Sequence, residues 1–263
     1  MGKIIVVASG KGGTGKTTTA SNLGAALSQM GYLTVLVDMD IGLRNLDIAL
    51  GLESSVVYDA VEVIEGRSTL DEVLIQHTEY ENLYFIAAPQ TRDAISIEEE
   101  KVADFWERIK SRFDFCIVDA PAGIIGCGFE YACAGADAAI IVALPEITAL
   151  RDADRAISVL EKKDIDDVRL VINRIRPELI DKGLMMNVDE CMDILGIPIL
   201  GIVPEDEELT ASALSGELVI SNEKALSGKA FSNIAKRICG ESVPIIKMDK
   251  KRRFKIFEML YKK

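Results

Sequence analysis

Nine consecutive residues, Gly10-Lys11-Gly12-Gly13-Thr14-Gly15-Lys16-Thr17-Thr18, carry the strongest chemical signal in this chain. Closely spaced glycines let successive backbone N–H groups turn inward around an anion, and a helix beginning at the end of such a run adds partial positive charge. The run satisfies GxxxxGK[ST], the spacing that cradles a nucleoside triphosphate. Gly12, Gly13, Thr14, Gly15 and Thr18 line that cradle, Lys16 reaches the β/γ-phosphates, and the Thr17 hydroxyl is a ligand for Mg²⁺. Three carboxylates complete the chemistry. Asp119 follows the apolar run Phe115-Cys116-Ile117-Val118, and Asp38 and Asp40 close Val37-Asp38-Met39-Asp40. Carboxylates at strand ends beside a phosphate loop suit Mg²⁺ and an attacking water, and the apolar run followed by Asp119 places that carboxylate near the metal shell.

Those residues need a scaffold that brings strand ends together. Short apolar runs at 4–8, 34–37, 83–87, 115–118, 138–143, 169–172 and 198–203 show little polar alternation, as strands covered on both faces do. Helical patterns intervene at 16–30, 98–112, 151–163 and 224–239. The alternation predicts an α/β fold: a three-layer, mainly parallel, doubly wound sheet. The glycine loop follows the first strand and precedes the first helix, the context the motif requires. Residues 1–244 read as one nucleotide-binding domain and 245–263 as a separate tail.

Charge is distributed unevenly. The 263 residues carry a net −12, yet positions 247–263 hold eight Lys/Arg against Asp249 and Glu258, a net +6, so residues 1–246 carry −18. An acidic body argues against nucleic acid as a partner, which demands clustered cations. In the tail, Phe254, Ile256, Phe257, Leu260 and Tyr261 fall on one side of a helical wheel, with Lys251, Arg252, Lys255 and Lys262 on the other. That pattern predicts a short amphipathic helix seated on an anionic membrane surface. Five scattered cysteines without CxxC spacing read as reduced thiols, and a lone His77 excludes a histidine-cluster metal site. No apolar run approaches the roughly 18–20 residues that span a bilayer. The expectation is a cytoplasmic protein, peripheral on the inner face of the cell membrane.

Lys11 is the distinctive residue, because an ordinary phosphate loop needs only the second lysine. The pattern KGGxGK[ST] resembles the deviant Walker A, or ParA–MinD, family of P-loop ATPases. Further residues carry the likeness along nearly the whole chain: Asp38-Met39-Asp40-Ile41-Gly42-Leu43-Arg44-Asn45-Leu46-Asp47, Asp119-Ala120-Pro121-Ala122-Gly123-Ile124, Arg151-Asp152-Ala153-Asp154-Arg155, Asn173-Arg174-Ile175-Arg176-Pro177 and Ile202-Val203-Pro204-Glu205-Asp206. The first of these blocks is characteristic of the division-site branch of the family. The resemblance implies ATP and Mg²⁺ as cofactors and a homodimer formed with ATP, Lys11 reaching across to the partner's phosphates as a trans-acting finger does. It also implies that Asp40 orients the hydrolytic water, that Asp38 acts near Mg²⁺ as a metal residue, that Asp152 lies near the dimer interface, and that Asn173 with Pro204 holds adenine. The function implied is membrane-cycling placement of the division site, with a division inhibitor and a topological-specificity protein as partners. Arg176, three residues after Asn173, cannot accept a hydrogen bond from guanine, which favours ATP over GTP.

One segment departs from the family pattern. After Gly123-Ile124 its members usually place a Glu, whereas this chain runs Ile125-Gly126-Cys127-Gly128-Phe129, apolar and one residue longer. The change bears on hydrolysis rate and its stimulation, not on nucleotide binding. Two other readings compete: a ParA-like ATPase cycling on DNA, opposed by the −18 body, and an iron–sulfur relative of the nitrogenase iron protein. Cys127 suggests the latter, but no second cysteine between Gly66 and Arg112 supports it.

Overall fold

A computed structural model describes residues 1–90 and 97–246. Eight strands form one sheet: β1 (Lys3–Ala8), β2 (Thr34–Asp38), β3 (Ile75–Gln76), β4 (Leu83–Ile86), β5 (Phe115–Asp119), β6 (Ala138–Ala143), β7 (Val168–Ile175) and β8 (Ile199–Pro204). Their order is β3-β4-β2-β5-β1-β6-β7-β8, and every pairing is parallel except β3 with β4. The helices in chain order are α1 (Lys16–Gln29), α2 (Leu46–Ala49), α3 (Ala60–Ile64), α4 (Leu70–Val73), α5 (Glu99–Arg112), α6 (Cys127–Cys133), α7 (Ile147–Glu161), α8 (Pro177–Ile180), α9 (Val188–Leu195), α10 (Glu207–Ser215) and α11 (Leu226–Ile238). The expected doubly wound α/β architecture is the one observed.

Strand alternation builds two cores. Ile4, Val6 and Ala8 of β1 face one way, joined by Cys116 and Val118 of β5 and covered by Phe105 and Trp106 of α5, Phe129 of α6 and Leu150 of α7. Ile5 and Val7 face the other way with Leu36 and Ile117, covered by Leu23 and Leu27 of α1 and Phe231 and Ile234 of α11. Because both faces are apolar, the strands read as unbroken hydrophobic runs. Cys116, Phe105 and Trp106 are core residues, as their sequence context indicates.

Boundaries shifted where tertiary geometry overrides local pattern. Helix α7 begins at Ile147 rather than 151, immediately after an extended Glu146. Strand β7 continues to Ile175 rather than stopping at 172, crossing an irregularity that holds Arg174 at φ +56°. Residues 247–263, which contain the tail's Phe254, Ile256, Phe257, Leu260 and Tyr261, lie outside the described residues. Among the described residues, no helix is long and apolar enough to cross a membrane.

Candidate nucleotide site

Parallel pairing aligns the carboxyl ends of β2, β5, β1, β6, β7 and β8 along one edge, where ligands collect in open α/β sheets. The phosphate loop, residues 9–15, leaves β1 near the centre of this edge and runs into α1. Gly13 and Gly15 adopt φ of +78° and +94°, conformations a side chain resists. Gly10 is required for a different reason. A Cβ there would stand 2.0 Å from the backbone oxygen of Asp152, so the loop lies directly on the first turns of α7. The Ser9 hydroxyl donates to the Lys11 carbonyl at 2.6 Å and braces the turn from below.

The carboxylates converge through strand register. Asp38 and Asp119 are opposed on β2 and β5, and Asp119 is also aligned with Val7 of β1, next to the loop. Thr17 Oγ1 donates to Asp119 Oδ2 at 2.6 Å, tying the start of α1 to the end of β5. The second oxygen of Asp119, Oδ1, is buried and has no hydrogen-bond partner. A hydroxyl beside an unsatisfied buried carboxylate is a hard-oxygen donor set of the kind Mg²⁺ takes, so these residues fit the metal. The Asp38 oxygens are engaged otherwise, accepting from the backbone N–H of Asp40 at 2.8 Å and of Leu46 at 3.2 Å. Asp38 therefore brackets the loop 39–46 against the sheet.

Burial dominates the electrostatics. It pushes the carboxyls of both Asp38 and Asp119 well above the usual carboxylate range, and neighbouring carboxylate charge raises them further. Lys16 is also buried. Desolvation lowers its ammonium, opposed by the charges of Asp119 and Asp40. A buried cation beside buried anions is held ready for phosphate oxygens rather than for water. The Thr14 hydroxyl is likewise buried without a partner, in the wall of the same loop.

Asn173, near the end of β7, makes both a donor and an acceptor bond within the protein. Its Nδ2 donates to the Thr14 carbonyl at 2.8 Å, and its Oδ1 accepts from the Arg174 N–H at 2.8 Å. Pro204 is aligned with Ile175 across β7 and β8, so the residues expected to hold a base share one corner of the edge. Arg176 Nε pairs with Glu205 at 2.9 Å on that rim. Lys11 Nζ lies 3.7 Å from Glu146, the residue heading α7, while Asp152 pairs with Arg155 at 3.6 Å. Sequence reasoning missed Glu146 and the clamp of Asn173 on the loop. Neither has a local signal, since each joins residues far apart in the chain.

A glycine-rich phosphate loop leading into a helix, beside a threonine–aspartate pair that fits a metal, at the carboxyl edge of a parallel sheet defines a P-loop nucleoside triphosphatase. Residues 5–219 match the CobQ/CobB/MinD/ParA nucleotide-binding domain, and the chain belongs to that family. It is 46% identical to the septum site-determining protein MinD of Bacillus subtilis over 247 residues, covering 93% of this chain and 92% of that one. The MinC:MinD cell division protein complex of Aquifex aeolicus has a chain that superposes with a TM-score of 0.87 at 40% identity, covering 93% of this chain and 98% of that one. MinD from Pyrococcus horikoshii, solved as its complex with Mg-ADP, gives a TM-score of 0.80 at 28% identity over 90% of this chain and 96% of that one. This protein is thus a division-site-positioning ATPase that uses ATP and Mg²⁺.

Proposed function

We propose that ATP joins two copies of this chain face to face, that the dimer holds to the membrane through its paired tails, and that hydrolysis releases it. The observation that carries this reading is the pair of lysines in one loop. Lys16 is buried within the protomer's own cradle, whereas Lys11 rests at the loop's outer rim against Glu146, placed to serve phosphates other than its own. In this reading Gly12, Gly13, Thr14, Gly15, Lys16, Thr17 and Thr18 bind the triphosphate. Asn173 and Pro204 flank the adenine. Thr17 and Asp119 hold Mg²⁺, with Asp38 behind them fixing the loop that carries Asp40. The metal, when bound, neutralises charge on the β/γ oxygens. Asp40 orients the attacking water, Lys16 stabilises the phosphoryl oxygens, and Lys11 from the partner protomer adds positive charge in the transition state. Asp152, packed on the loop through Gly10, adjoins the dimer interface.

Residues 1–244 act as the ATPase domain and 245–263 as the membrane anchor. One basic amphipathic helix binds anionic lipid weakly; two on one dimer bind far more tightly because the second engagement is intramolecular. ATP thereby controls residence on the inner face of the cell membrane. The Aquifex aeolicus complex supports a division inhibitor as partner, and a topological-specificity protein is the second. The acidic body disfavours the DNA-cycling alternative. Co-sedimentation with anionic liposomes tests the switch. Binding with ATP must exceed binding with ADP at least tenfold, and equal binding in both states refutes it.

A further inference from the structure

We propose that Ile125 is the apolar anchor by which the nucleotide-bearing face engages a second copy of this chain. The inference rests on the dimer reading above and assigns it a residue. Ile125 is 92% exposed, far more than an isoleucine beside a folded core requires. It lies in the loop between β5 and α6, flanked by Gly123 at φ +97° and Gly126 at φ +116°. Its neighbour Ile124 packs against the core and fixes the base of the loop. The loop also lies against the phosphate loop, since a Cβ on Gly12 would stand 3.7 Å from Ala122 Cβ.

Ile125 is not alone. Leu43, in the loop after β2, is 52% exposed, and Ile147, which opens α7, is 50% exposed. Of the strands that lead to these residues, β5 and β6 flank β1 and β2 lies next to β5. All three apolar side chains therefore lie at the edge that holds the nucleotide. Single exposed apolar residues are ordinary; several at one edge mark an interaction surface.

The charges of the same rim decide the occupant. Lys11 pairs with Glu146 and Asp152 with Arg155, so the phosphate loop and the start of α7 carry both signs of charge. An anionic membrane or a nucleic acid calls for one sign of charge. A face bearing both signs can meet its own two-fold copy, where each residue opposes its complement. Ile125 is also joined to the chemistry through six residues of chain from Asp119, with glycines on either side that permit it to move with that carboxylate's loop. Pairing and nucleotide state are thereby linked at one side chain.

The test uses the full chain with Mg²⁺ and a non-hydrolysable ATP analogue, measuring the dimer dissociation constant by sedimentation equilibrium and ADP affinity by fluorescent-nucleotide titration. Burying an isoleucine on each protomer predicts that Ile125→Ser weakens the dimer about a hundredfold or more, with ADP affinity unchanged and Ile125→Leu within a few-fold of the native protein. An Ile125→Ser dimer within threefold of native strength overturns the inference while leaving dimerisation intact. Parallel loss of ADP affinity also overturns it, because Ile125 then acts within its own protomer. A native chain that stays monomeric with the analogue removes the dimer reading itself.

Discussion

Replacing Asn173 with alanine separates a structural clamp from a base contact. The side chain spans two partners, donating to the Thr14 carbonyl at 2.8 Å and accepting from the Arg174 N–H at 2.8 Å. The Thr14 carbonyl belongs to a residue only 2% exposed, so after truncation water cannot replace the lost donor. An orphaned buried acceptor costs about 1–3 kcal/mol. Arg174 is exposed, and its N–H recovers most of its bond from solvent at a loss of about 0.5–1 kcal/mol. The sum is roughly 1.5–4 kcal/mol, a large share of a typical domain's stability. Urea unfolding of the nucleotide-free protein, followed by the fluorescence of the single tryptophan Trp106 in the core, measures it directly. ADP affinity should fall together with stability, because the phosphate loop loses its tether to β7. If stability stays within about 0.5 kcal/mol of native while ADP affinity falls, Asn173 acts on the base alone and the clamp is wrong.

A second substitution tightens the argument. A Cβ on Gly15 would approach Asn173 Nδ2 to 2.2 Å, and Gly15 also sits at φ +94°. Gly15→Ala therefore carries two penalties, a clash and a backbone strain of roughly 1–2 kcal/mol. Only the clash depends on Asn173. In the Asn173→Ala background Gly15→Ala should cost at least about 1 kcal/mol less than in the native protein, and strict additivity would show that the two groups do not touch.

Two further outcomes follow from the geometry. Lys11→Ala should retain ADP affinity within a few-fold, since Lys11 lies outside the buried cradle, yet lower phosphate release at least tenfold; undiminished turnover counts against a trans-acting lysine. His77 is buried, its Nδ1 accepts from the Glu79 N–H at 3.1 Å, and burial lowers its pKa below the ordinary 6.5. The native state thus favours the neutral ring, the unfolded chain takes up the proton first, and stability falls as pH drops below 6.5 towards the native value. Urea titrations at pH 7.5 and 5 should show the native protein losing more stability than His77→Gln over that interval, and equal losses would remove His77 as the cause.

What could be read from the sequence was contiguous. The phosphate loop, the Thr17 ligand and the carboxylates closing β2 and β5 are local patterns, because glycine spacing and an apolar run followed by Asp need no tertiary knowledge. Seven strands and the long helices followed from runs buried on both faces. Short elements escaped: α3, α4 and α9 have five, four and eight residues, too few for a helical period to register. Their capping boxes, Asp59 with Glu62, Thr69 with Glu72 and Asn187 with Glu190, were the signals available. The end of β7 reads three residues early, at Ile172, where the apolar run gives way to Asn173-Arg174. Both residues are polar, the pairing with β8 is irregular between Ile172 and Ile175, and the Asn173 side chain meets the Thr14 carbonyl, 159 positions away. The pairing of Lys11 with Glu146 likewise joins two loops that sequence spacing cannot relate.

Asp38 and Asp119 show how the two halves of the switch divide their labour. Both are buried carboxylates on adjacent strands, an arrangement that raises both pKa values and costs the fold stability wherever both are ionised. Their hydrogen bonds, however, differ. Asp38 spends its oxygens on the N–H groups of Asp40 and Leu46, so its charge is compensated by the loop it restrains. Asp119 bonds Thr17 through one oxygen and leaves the other without a partner, so its charge is compensated by the Thr17 hydroxyl and the nearby Lys16. The Met39 N–H, between Asp38 and Asp40, donates to the Asp119 carbonyl at 3.0 Å. One backbone bond thus joins Asp119 to the loop bearing Asp40, and Ile125 lies six positions further along the chain from Asp119. The Thr17 bond, the loop bearing Asp40 and the segment leading to Ile125 thus all connect to the end of β5.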